Sequence, residues 1–154
     1  MRSDYLLLIF LRHLACIACR PHLEEVASQV DRLRTAGISV VAISQAKPEF
    51  LAMFLRQFPQ PFPVVADPDR QVYRAFNLER ARWRDFFHPG EIARYLGIMA
   101  RGHRVQRPFA GEDLLQLGGD FLLDRHGKVR FAYRCQTATD WPRIEEILAA
   151  ATAG

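Results

Sequence analysis

Cys16-Ile17-Ala18-Cys19 is the segment whose residue types and spacing most directly allow chemistry. A thiolate is a nucleophile. A second thiol one helical turn further on can attack the mixed disulfide that the first one forms. Cys16, the more N-terminal and by expectation the more exposed thiol, is read as the nucleophile, and Cys19 as the resolving thiol. Arg12, His13 and Arg20 add positive character around the pair. Unpaired N–H groups at a helix N-terminus would lower a thiol pKa further. Pro21 suits a first helical turn, so the regular helix is expected to open near Arg20. The dipole would then act on Cys19 as much as on Cys16.

Other readings of the same residues stay open. Both cysteines could be buried small hydrophobes in a non-catalytic binding module. His13, Cys16, Cys19 and His22 are evenly spaced and could ligate zinc, although structural zinc sites usually draw ligand pairs from two separate knuckles. His22 is read here as a solvated helix residue. Cys135 is read as a core or edge cysteine, with service as a distant resolving thiol as the alternative.

The elements that must position these residues follow from periodicity. Tyr5–Leu11 is a continuous apolar run, as expected of a strand buried on both faces. Leu23, Val26, Ala27, Val30 and Leu33 share one helix face, closed by Gly37. Residues 38–43 form a second strand, Pro48 opens a helix, and Val64–Ala66 is a short strand. Asp67 caps a short helix over 68–76. Trp83, Phe86 and Phe87 read as a packed segment before a helix containing Ile92, Tyr95, Leu96 and Met99. Strands at 121–124 and 129–135 form a hairpin. A last helix is expected from an Asp140 cap with Pro142 in its first turn. Two leading βα units imply parallel strands with right-handed crossovers. The order is that of an α/β, thioredoxin-like fold in one domain over residues 1–154. A central mixed β-sheet is flanked by helices, with a helical insertion at about 80–117 before the C-terminal hairpin.

Bulk properties agree with a globular chain. It has 154 residues, half of them apolar and a quarter charged, with three cysteines. Three cysteines do not make a disulfide scaffold, and a local pair in a reducing compartment points to redox or metal chemistry. The seven-residue apolar run near the N-terminus is too short to span a bilayer, so a cytoplasmic protein without a membrane partner is expected. Residues 80–107 hold seven arginines against Asp85 and Glu91, which makes that segment +5 and the rest of the chain −1. We read it as a solvated or partner-facing cover, separable from the thiol chemistry, with no nucleic-acid role. Ile92, Leu96 and Met99 could bury a homodimer contact.

Three blocks of residues resemble a known family. Ile9-Phe10-Leu11-Arg12-His13, with Cys16, Cys19 and Arg20, is similar to the opening of the AhpC/TSA peroxiredoxin-like proteins. The nearest branch is the bacterial set similar to selenoprotein U and the peroxiredoxin-like antioxidant proteins. Pro61–Arg70 with Tyr73-Arg74-Ala75-Phe76, and Leu117–Asp124 with Gly127-Lys128-Val129, resemble the second and third blocks. The resemblance implies a thioredoxin fold, a thiol-dependent antioxidant role and no bound cofactor. The implied substrate is a peroxide or a protein disulfide. The implied electron donor is thioredoxin or a glutathione-like thiol. Typical peroxiredoxins carry a proline and a threonine where this chain has Ile9 and His13, and an arginine where it has Gly118-Gly119. Those two glycines are read either as a bare loop that lets a peroxide or a substrate backbone approach the thiol or as a plain pair of turn residues.

Overall fold

The computed structural model describes residues 3–153. Strand β1 (Tyr5–Phe10) lies at the centre of a five-stranded sheet. It pairs in parallel with β2 (Ile38–Ser44), which pairs in parallel with β3 (Val64–Ala66). On its other side β1 runs antiparallel to β4 (Gly119–Asp124), and β4 runs antiparallel to β5 (Val129–Arg134). The sheet order is therefore β3-β2-β1-β4-β5. The expected mixed sheet flanked by helices is the observed one.

Side chains alternate across β1, so each face of the sheet carries its own core. Leu7 and Ile9 join a large cluster with Leu23, Val26, Leu33, Leu122, Ile144 and Ile147. That cluster gathers α1 (Cys19–Ser28), α2 (Val30–Thr35) and α6 (Ile144–Thr152). Leu8 and Phe10 join a smaller cluster with Ile43, Tyr73, Leu78 and Phe121 on the opposite face. Tyr73 belongs to the short helix α4 (Gln71–Ala75). As expected, Asp67 accepts hydrogen bonds from the first free N–H groups of α4, those of Gln71 and Val72. Helix α3 (Pro48–Gln57) opens on its proline.

Four local expectations are corrected. The single helix over 23–33 is two helices. Ser28 donates its hydroxyl to Glu25 O at 2.7 Å, and Gln29 leaves helical geometry with φ −104° and ψ 6°. Asp140 does not cap α6. Its carboxylate accepts from the Tyr133 hydroxyl and the Gln136 N–H, and the helix starts later, with Glu146 accepting from Arg143 N. Trp83 and Phe87, expected to pack, lie in a 3-10 turn (Trp83–Phe87) and are 64% and 72% exposed. The helix of the insertion is longer than the apolar pattern implied. This helix, α5, spans Pro89–Ala100 with His88 accepting from Gly90 N. It turns Tyr95 and Ile98 inward and leaves Ile92, Leu96 and Met99 exposed.

Gly118 and Gly119 differ most from their expected role. A Cβ at Gly118 would overlap the Phe10 carbonyl oxygen and stand 2.7 Å from Trp141 Cη2. A Cβ at Gly119 would overlap the Tyr133 carbonyl oxygen and stand 3.1 Å from Leu78. The space beside both is filled by the protein itself, not left open to a substrate. These glycines let the start of β4 press against β1 and β5. Gly118→Ala should therefore cost about 3 kcal/mol by overpacking. Urea denaturation checks this, and an unchanged midpoint would contradict it.

Candidate active site

The loop that carries the cysteines is built by backbone bonds from several elements. After β1, Leu11 N–H still bonds to Ile43 O at 2.9 Å, so the chain leaves the sheet at Arg12. The Tyr73 hydroxyl donates to Leu11 O at 2.6 Å. Glu112 accepts from Leu14 N at 2.8 Å and from Phe109 N at 3.2 Å, tying the loop to the far end of the insertion. Two successive turns follow, with Cys16 N–H bonded to His13 O and Cys19 N–H bonded to Cys16 O. Helix α1 opens at Cys19, one residue before the position expected from Pro21. Cys16 therefore lies a turn ahead of the helix. It is not more exposed than its neighbour, because both residues are only 3% exposed. All three cysteines are free thiols.

Arg12 dominates the surroundings of Cys16. Its side chain is buried, and its Nη1 donates to Cys16 Sγ at 3.4 Å. Nη1 also lies 3.4 Å from the Tyr95 hydroxyl, Nη2 donates to Leu114 O at 2.8 Å, and Nε donates to Gln116 O at 3.3 Å. The guanidinium stands over the Phe86 ring at 5.0 Å. Four residues of the insertion thus clamp it, which corrects the expectation that the insertion is separable from the thiols. The guanidinium that touches Cys16 comes from the loop just after β1. Behind it the buried Gln45 donates to Arg12 O and Asp113 O and accepts from Asp113 N. Asp113 in turn binds Arg70 and Arg80.

The electrostatics separate the two thiols. Burial would push Cys16 up, but a hydrogen bond from the Cys19 thiol and the charge of Arg12 outweigh it and bring its pKa below the ordinary thiol value. Cys19 is driven well above that value, first by burial and then by its bond to Cys16. The guanidinium 3.4 Å from Cys16 Sγ favours the anionic form of that thiol over the form of Cys19. Tyr95 is pushed up to about 12, chiefly by burial, so it stays a neutral phenol beside Arg12. His13 is not the positive neighbour expected of it. Burial and then Arg12 lower its pKa to about 3, so the ring is neutral. Arg20 stacks over Phe58 at 4.0 Å instead of adding to the charge on the thiols.

His22 is not a solvated residue. It is buried, its Nε2 lies 2.8 Å from Asp120 Oδ2, and its ring stacks on Trp141 at 4.5 Å. That bond occupies one of its two ring nitrogens. Among the described residues no group of three or more His, Cys, Asp or Glu side chains is placed to hold a metal ion. Cys135 is buried, with its pKa raised first by burial and then by Asp120 and Asp140. Sequence reasoning missed Gln45, Glu112, Gln116 and Asp120. Gln45, Glu112 and Gln116 stand in no motif, Asp120 lies in the third block with no role assigned to it, and each acts through a partner distant in the chain.

A family profile described as AhpC/TSA antioxidant enzyme matches residues 25–137, more than half of the chain. The chain belongs to the AhpC/TSA family. Peroxiredoxin-like 2C of Bos taurus is 23% identical over 156 residues, which span 96% of this chain and 68% of that protein. Two solved structures share the fold. The bacterioferritin comigratory protein of Xanthomonas campestris, solved in a study of its alkyl peroxide reduction activity, has a TM-score of 0.66 at 18% identity over 98% of this chain and 80% of that one. Peroxidoxin BcpB of Mycobacterium tuberculosis has a TM-score of 0.67 at 16% identity over 99% and 81%.

AhpC/TSA membership supports a redox function. The profile match begins beyond Cys16 and Cys19, so the roles of these two thiols are argued from their own geometry. No helix among the described residues is long and apolar enough to cross a membrane.

The polarised thiol pair gives a pH prediction. A lowered pKa keeps Cys16 ionised at pH values where a free cysteine, near roughly 8.5, is mostly protonated. Iodoacetamide should therefore label Cys16 before Cys19 and Cys135 at pH 7. Arg12→Gln should raise the Cys16 pKa, and a shift of about one unit would slow labelling about twofold at pH 7 and about tenfold at pH 5, below the Cys16 pKa. Tyr95→Phe should slow it less. Peptide mapping across pH 5 to 9 reads the result, and first labelling of Cys19 would reverse the assignment.

Proposed function

We propose that this AhpC/TSA protein is a thiol-dependent antioxidant oxidoreductase, with Cys16 as its nucleophile and Cys19 as its resolving thiol. The observation that carries this reading is the Arg12 guanidinium 3.4 Å from Cys16 Sγ in a buried site. A buried cation favours the anionic form of the one thiol it touches. The Cys19 N–H bonds back to Cys16 O at 3.2 Å, so the second thiol stands one turn from the first and is suited to resolve it.

In the reaction with a hydroperoxide, Cys16 sulfur attacks the distal oxygen and the O–O bond breaks. Cys16 takes the distal OH and becomes a sulfenic acid, and the departing alkoxide takes a proton from solvent and leaves as the alcohol. Cys19 sulfur then attacks Cys16 sulfur, an S–S bond forms and water departs. Two thiols of an external donor reduce the disulfide and become a disulfide themselves. The donor is thioredoxin or a glutathione-like thiol of a cytoplasmic, reducing setting. The burial of Cys16 favours a small peroxide over a protein disulfide, because a few heavy atoms can enter where a folded chain cannot. No cofactor is required by this chemistry.

The test pairs mass spectrometry with single-residue variants. One equivalent of peroxide should give an intramolecular 16–19 link that dithiothreitol removes. Cys16→Ser should abolish peroxide consumption, and Cys19→Ser should retain one turnover and accumulate a sulfenic acid on Cys16. A main product linking residues 16 and 135 would remove Cys19 from its role. Full consumption by Cys16→Ser would end the proposal.

A further inference from the structure

A cleft of about 450 Å³ opens between the start of α5 and the loop that follows β5. Its walls carry Arg82, His88, Glu91, Arg94, Gln136 and Thr137. Two of these residues hold a buried polar atom with no partner, Glu91 Oε2 and Thr137 Oγ1. Glu91 is only 3% exposed. Its other oxygen, Oε1, is already used, accepting from Thr139 Oγ1 at 2.7 Å and Arg94 Nη1 at 2.8 Å. A buried carboxylate oxygen left without a donor is costly, so two such orphans on one cleft mark a place where an incoming group completes the hydrogen bonding.

The chemistry of the missing group can be read from the walls. Glu91 Oε2 takes a donor, best a cationic one. Arg82 and the largely exposed Arg94 offer guanidinium groups to a carboxylate. Asp85 also lines the cleft, but its carboxylate is engaged by Arg82 N at 2.8 Å. An ammonium and a carboxylate on one small ligand is the pattern of an α-amino acid head group. The volume exceeds a single amino acid and falls within the range of small-molecule sites.

Helix α5 links the cleft to the reactive centre. Glu91 stands four residues before Tyr95 and so shares its face of α5, while the Tyr95 hydroxyl bonds to Arg12. Gln136 and Thr137 directly follow Cys135.

We infer that this cleft binds the amino-acid head group of a small peptide thiol, through Glu91 and Thr137 on its ammonium and Arg82 and Arg94 on its carboxylate. The inference rests on the proposed function in one respect, because it makes this ligand the electron donor. Two ligand thiols lose two electrons and two protons in forming one disulfide. The Cys16–Cys19 disulfide gains both and returns to two thiols.

S-methylglutathione, which has no free thiol, tests the site without any redox step. Isothermal titration calorimetry on the reduced wild-type chain should show saturable binding at one site. The probe's desamino counterpart should not bind measurably. Glu91→Gln should weaken the probe about tenfold, the scale of one charged hydrogen bond. Thr137→Val removes only the unpartnered hydroxyl, leaves the ion pair of Glu91 intact and should weaken it several-fold. Circular dichroism of both variants checks their fold. Absence of saturable binding by the wild type overturns the inference, as does unchanged binding by both folded variants. If the probe binds as described while Cys16→Ser keeps full peroxide consumption, the site stands and the proposed function falls.

Discussion

A guanidinium buried without a carboxylate on it is the constraint on which the rest of this structure turns. Arg12 donates to two carbonyls, a phenol and a sulfur. Carbonyl and phenol dipoles reduce the penalty of burying a charge but do not neutralise it. The group in that set that can carry a full negative charge near neutral pH is Cys16. Deprotonating Cys16 and burying Arg12 are therefore one event seen from two sides. The same coupling raises the pKa of Arg12, against its own burial, and lowers that of Cys16, also against burial. Either residue alone would be poorly placed in this interior.

Holding that pair in place explains the shape of the insertion. Its exposed arginines draw attention in the sequence, yet its contribution to the centre comes from Phe86, Tyr95 and the carbonyls of Leu114 and Gln116. The Gln116 side chain donates to Glu79 O and Leu117 O, which fixes the carbonyls that receive Arg12. Glu112 holds the cysteine loop from the other end. Burial pushes the Glu112 carboxyl up while its two backbone bonds pull it down, and the net is a rise. The insertion is a clamp on one side and a solvated surface on the other.

What the sequence made legible follows from how local each signal is. Strand β1 reads as a run of seven apolar residues, and the Asp67 cap lies four and five residues from the N–H groups that it satisfies. The CxxC spacing places two thiols one turn apart whatever surrounds them. Cys16 apart, the hydrogen-bond partners of Arg12, His22 and Gln45 lie 33 to 104 residues away, and periodicity carries no information about them. His22 shows this most plainly. A polar residue beside Glu24 and Glu25 reads as solvent-facing, but α1 turns it onto Asp120 and Trp141. The glycines at 118 and 119 read as a loop because their crowding is set by Phe10, Tyr133 and Trp141 from three other segments.

The charge coupling at Arg12 also bears on which redox state the fold prefers. In the reduced form the guanidinium has the Cys16 thiolate as counter-charge. A disulfide between Cys16 and Cys19 is neutral, so its formation strips that counter-charge from a cation that stays buried. The loss falls on the oxidised state alone and makes the disulfide easier to reduce, as expected when a reduced form is selectively stabilised. A centre of this kind gives up its disulfide readily to a thiol donor once a peroxide has formed it. Peroxide reduction is strongly favourable and tolerates a strained oxidised state, whereas regeneration by a thiol is close to balanced and gains from it. In the proposed cycle the buried arginine thus favours both halves, the attack by Cys16 and the release of the disulfide.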